Sequence, residues 1–120
     1  MYSYKTGIAA YNQSAVVGIT GRDLSVKIVK SIISYINESL TLLKEDESSI
    51  RPYQLLDNAN TLVINLLENM NAEIPPTERE ILVKILVTVA DDIIKTIRGN
   101  SVDLEESKKG LDAILDVLES

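Results

Sequence analysis

From residue 20 onward, apolar residues recur at the three- and four-residue intervals of an α-helix, in four stretches bounded by chemistry that starts or stops one. The first opens at Thr20, whose hydroxyl can cap first-turn amides while Asp23, three residues on, reaches back. It closes in the acidic run Glu45-Asp46-Glu47-Ser48-Ser49, which offers Ser48 or Ser49 as the next cap. The second runs to about Asn71, with Pro52 tolerated in a first turn whose amides have no partner inside the helix. Pro75 and Pro76 forbid continuation. Thr77 and Glu80 form a T-x-x-E box for the third stretch, and Arg98-Gly99-Asn100 ends it, with Gly99 free to adopt the left-handed conformation. Asp103 and Glu106 open the fourth. Residues 1–19, with Gly7, Gly18 and three of the five tyrosines, show no sustained period and read as a strap. Short connections make successive helices antiparallel neighbours. The expected fold class is therefore all-α: an antiparallel four-helix bundle over 20–120 with an N-terminal strap over 1–19, in a single domain.

At 100° per residue, the four stretches differ in how much of their circumference is apolar. The fourth carries a narrow stripe: Leu104, Leu111, Ile114, Leu115 and Leu118. The second is broader, from Leu55 to Met70, and only Ile64 falls on its polar side. The first and third each carry two adjacent stripes. On the first, Leu24, Ile28, Ile32, Tyr35, Leu42 and Leu43 lie beside Val29, Ile33, Ile36 and Leu40. On the third, Leu82, Ile85, Leu86, Val89, Ile93 and Ile97 lie beside Val83, Val87, Ala90 and Ile94. A bundle needs roughly three apolar positions in seven per helix, so the second stripes must meet something more. Three readings stay open: a strap-covered asymmetric core, grooves for an apolar peptide, or a homo-oligomer interface.

Composition narrows the chemistry. The chain has 120 residues, and with neither Cys nor His it can form no disulfide, thiol nucleophile or imidazole-based site. Twelve basic residues against eighteen acidic ones give a net charge of -6, which repels a polyanion, so nucleic acid is not an expected partner. No stretch reaches the ~18 apolar residues of a membrane span, and no basic segment with an apolar run opens the chain; a cytoplasmic protein without membrane insertion is expected. Asp91 and Asp92, adjacent on a helix, point about 100° apart and read as a solvated face. The acidic run at 45–47 lacks calcium-loop spacing, and Gly18 and Gly21 lack the lysine of a phosphate loop. No catalytic residue, cofactor site or metal site is assigned, and no enzyme is expected.

The segment from Tyr11 to Ile36 resembles the start of the FliS family of flagellar export chaperones, whose pattern is Y-x4-V-x3-S-P-x2-L followed by a helix containing L-Y-D-G. Tyr11, Val16, Thr20, Gly21 and Leu24 fall at those spacings, and Ile28, Val29, Lys30 and Ser31 occupy the L-Y-D-G positions. Gly21 stands for the proline and Thr20 for the serine, while Val29 to Ser31 depart from the family's side chains. The stretch around Ala59, Leu62, Leu66 and Met70 is similar to the family's second long helix. The resemblance implies a divergent member: a cytoplasmic secretion chaperone that binds the C-terminal segment of flagellin, prevents premature polymerisation and aids type III export. The export apparatus would be a further contact, and the chain a monomer or homodimer. The expected partner-binding residues are Tyr11 and Val16 in the strap with Val29, Ile33, Val83, Val87 and Ile94 on the second stripes. The alternative is a structural bundle whose extra stripes mediate homo-oligomerisation.

Overall fold

A computed structural model describes residues 21–45, 49–70, 74–100 and 102–119. Among them it shows four helices: α1 (Gly21–Glu45), α2 (Arg51–Glu68), α3 (Pro76–Ile97) and α4 (Leu104–Glu119). The strap, and Thr20 as a cap, lie outside the described residues.

The starts of α2, α3 and α4 and the end of α3 each have a local cause. The N-cap position of α2 is Ile50, not a serine, and carries no side-chain capping bond; Ser49, one residue earlier, accepts the Arg51 amide at 3.2 Å and so satisfies one free first-turn donor. The Thr77–Glu80 box does not form: α3 already begins at Pro76, leaving Thr77 inside the first turn without a capping hydrogen bond. The reason is the proline itself, whose fixed φ suits a first helical residue and whose missing N–H costs nothing there. At the other end, Asn100 donates its amide to the Lys95 carbonyl and Gly99 to that of Thr96, with Gly99 at φ +87°. These two bonds define a Schellman closure around a left-handed glycine. Asp103 caps α4 through the Glu105 amide at 3.0 Å, while Glu106 instead meets Lys109.

The helices form a closed ring in chain order, each packed on its two neighbours and diagonal pairs held apart. Side-chain links fix the directions. Ser39, late in α1, bonds to Pro52 at the start of α2. Asp92, late in α3, bonds to Ser107 early in α4. Lys30 and Asn37 of α1 meet Glu119 and Lys108 of α4, in that order, at 4.0 and 2.8 Å. All these neighbours are antiparallel, and the bundle runs up-down-up-down.

The core is aliphatic. Ile32 and Ile36 from α1, Leu56, Leu62 and Val63 from α2, Leu86, Val89 and Ile93 from α3, and Leu104 and Leu111 from α4 are almost wholly buried. Burying each such side chain contributes about 1.5–3 kcal/mol relative to leaving it in water. Ser39 is a buried polar exception on α1, and its hydroxyl donates to the Pro52 carbonyl at 3.0 Å, so its burial leaves no unmet donor. Among the described residues, no helix is long and apolar enough to cross a membrane.

Candidate peptide groove between α2 and α3

The two double-striped helices fare differently once the ring closes. Lys30 and Asn37 mark the flank of α1 that faces α4, and Val29, Ile33, Ile36 and Leu40 lie on that side. α4 covers this second row. Val29 and Ile36 are fully buried, and Ile33 and Leu40 are half-buried against the core. Val29, expected to touch a partner, is therefore a core residue: a client could reach it only by opening the bundle. Ile33 borders the α1/α4 seam.

On α3 the second row stays outside. Asp92 bonds to Ser107, and a Cβ at Gly110 would stand 3.0 Å from Ile85, so these two residues mark the flank facing α4. Val83, Val87, Ala90, Ile94 and Ile97 form a row on the other flank, turned about 90° outward from the buried Leu82-Leu86-Val89-Ile93 row and toward α2. Val87 is 51% exposed, Val83 and Ile97 37% each, and Ile94 and Ala90 are half-buried. Ile97, expected in the core stripe, is the last residue of α3 and is exposed there. The row spans about 21 Å at 1.5 Å per residue.

The sense of the ring identifies the facing wall. In antiparallel neighbours the residue rows turn in opposite senses, which places Leu56, Val63 and Leu67 on the α3 side of α2 with Tyr53, Asn60 and Ile64 outside them. Ile64, the residue out of place on the polar side of α2, is 41% exposed there. It is accounted for by this position: α2 and α3 together present a shallow apolar trough. At the N-terminal end of the α3 row lies a depression of about 390 Å³ lined by Ile74, Pro76, Arg79, Glu80 and Val83.

Arg79 and Glu80 put charge into the lining of the depression, and an ion pair stands on the solvent side of the row. Lys95 bonds to Asp91 at 2.9 Å, and that hydrogen bond, followed by the carboxylate's charge, raises the ammonium's pKa above its ordinary value. Both groups are exposed, so the pair adds little stability. Asn60 keeps its Oδ1 buried and without a hydrogen-bond partner. Among the described residues no group of three acidic side chains is gathered as a metal site.

Of the expected partner-binding residues, Val83, Val87 and Ile94 come together on one surface. Ile33 lies on a separate seam, Val29 is internal, and Tyr11 and Val16 lie outside the described residues. Ile64 and Ile97 belong to the trough as well. Ile64 was detectable as an apolar residue at a polar angle, whereas Ile97 carries no signal separating it from the core row. Comparison with protein-family models, curated proteins and solved structures finds no match.

Proposed function

We propose that this protein is a helical binding module that holds an apolar segment of a client in the α2/α3 trough. One observation carries the reading: Val83, Val87 and Ile97 stay exposed, with Ile94 half-buried between them, after the four helices have closed their common core. Helix-in-groove recognition uses anchors at such three- and four-residue intervals, and a trough of about 21 Å matches about 14 helical residues of a client. The lining is β-branched, so its side chains are already confined to few rotamers and lose little freedom on binding.

The class of client follows from the resemblance of Tyr11–Ile36 to the FliS family. On that basis the client is the C-terminal segment of flagellin, held in the cytoplasm before export. Its ordering on binding would consume part of the contact energy, about 2–5 kcal/mol in coupled folding.

Titration calorimetry with a flagellin C-terminal fragment tests this directly. The wild-type chain should bind it with a negative heat-capacity change, and Val87→Asp should weaken binding at least tenfold with helical circular dichroism unchanged. Equal affinity of the two proteins for the fragment would reject the trough as its site, and no binding by either would reject flagellin as the client.

A further inference from the structure

One stretch of the α2 wall breaks the apolar lining of the trough. The bonds that tie the helices together fix their relative heights: Ser39 meets Pro52, Asn37 meets Lys108, and Ser107 meets Asp92. Carried round the ring, these links set Pro52 level with the turn of α3 at Asp92. Antiparallel helices rise equally per residue, so Tyr53 lies beside the Ala90–Ile94 turn and Ile64 close to the level of Val83. Between them Asp57 and Asn60 straddle the level of Val87. The α2 wall is thus apolar at Tyr53 and Ile64 and polar in the middle, where α3 presents only valine and alanine.

Both central groups offer acceptor oxygens that nothing nearby engages. Asn60 keeps its Oδ1 buried without a hydrogen-bond partner, which is unfavourable as it stands. Asp57, three residues earlier on the same surface, is exposed and makes no ion pair among the described residues. Thr61 donates its hydroxyl to the Asp57 main-chain carbonyl, so it serves neither side chain. Arg51, the sole base of α2, leaves the helix about 120° away from Asp57. Across the trough, Val83, Val87 and Ala90 have no polar side-chain atom. Lys84 is turned about 100° from Val83 toward solvent, and Lys95 is held by Asp91.

We propose that Asp57 and Asn60 select the client: the trough takes an amphipathic helix whose apolar face carries one lysine or arginine at its centre, with aliphatic anchors on either side. The cation donates to the Asp57 carboxylate and to Asn60 Oδ1, which rotation about the last side-chain bond turns outward because the residue is only half-buried. Its aliphatic stem lies along Val87 while the charge stays at the rim. An aliphatic residue at that place would strip water from Asp57 and leave Asn60 unmet, and an acidic one would add like-charge repulsion. The inference rests on the trough reading and names the chemistry of its client; it holds whether or not that client is flagellin.

Three helical peptides of about 14 residues, identical except for a central Lys, Leu or Glu on the apolar face, test this by fluorescence anisotropy with the full chain. Salt at about 0.15 M screens the long-range pull of the chain's net negative charge. The Lys peptide should bind about tenfold tighter than the Leu peptide, and the Glu peptide weakest. Asp57→Lys should reverse the order of the Lys and Glu peptides. Asn60→Leu should raise the urea midpoint, because it removes the unmet acceptor, while weakening the Lys peptide severalfold and sparing the Leu peptide. Equal affinity of the wild-type chain for all three overturns the selection and leaves the trough an unselective apolar site. A preference for Lys that both substitutions leave intact overturns it as well, since the determinant then lies elsewhere. Binding of none of the three rejects the trough reading and this inference together.

Discussion

Gly99 sits at φ +87° with nothing within 4 Å of where a Cβ would stand, so the constraint on it comes from the backbone and not from crowding. Gly99→Ala should lower stability by about 1 kcal/mol, as read by urea denaturation, and Gly99→Asn should lower it less, because Asn tolerates the left-handed region better. Gly110 presents the opposite case: its φ is unremarkable, but a Cβ would meet Ile85 at 3.0 Å. Gly110→Val should therefore loosen the α3/α4 seam, costing about 1–3 kcal/mol through overpacking and the lower helix propensity of a β-branched residue. Ser39→Ala removes one buried hydrogen bond to a carbonyl and should cost about 1 kcal/mol. A loss well above 3 kcal/mol in the same urea titration would show that more than this bond holds α1 on α2.

At the level of the helix, Val29 and Val87 make a useful pair, being the same residue type on second stripes of two helices. Val29 is fully buried and Val87 is half open. Val29→Asp should abolish the cooperative thermal transition, because it buries an unpaired charge. Val87→Asp should shift the midpoint by only a few degrees. Periodicity alone made these two positions equivalent. It locates apolar rows on a helix but does not say which neighbour will cover them, and that depends on how the ring closes. The four helices, their order and most of their core faces were legible from spacing, because each face has only one way to leave water. Helix starts were less so: at α3, Pro76 competed with the T-x-x-E box and won, since a pre-set φ acts before any side chain can reach back. The candidate site was half legible. Val83, Val87 and Ile94 were found by the surplus of apolar circumference, while Ile64 acquires a meaning only beside α3.

The whole molecule has two unlike ends. Because the ring runs up-down-up-down, α1 begins, α2 ends, α3 begins and α4 ends at one pole, and the depression beside Val83 lies there too. Among the described residues, the other pole carries the ends of α1 and α3 and the starts of α2 and α4. Cutting or lengthening the link between α3 and α4, away from Gly99, should leave trough binding intact in calorimetry. Loop length adds only about 0.6 kcal/mol of closure entropy per doubling. A comparable insertion between α2 and α3 would alter the seam that forms the trough floor and should change the affinity.

The Lys30–Glu119 contact sets the tail of α4 level with the tenth residue of α1, so α1 projects about two turns beyond it. A peptide bridge from residue 119 back to residue 21 would thus need to span only about 15 Å. The sequence could be rewired to start between α3 and α4 with the bundle otherwise undisturbed. Conversely, any bulky fusion or surface tether attached at either outer helix terminus emerges at the pole where the depression lies and crowds it, while attachment through the α3–α4 link leaves it free.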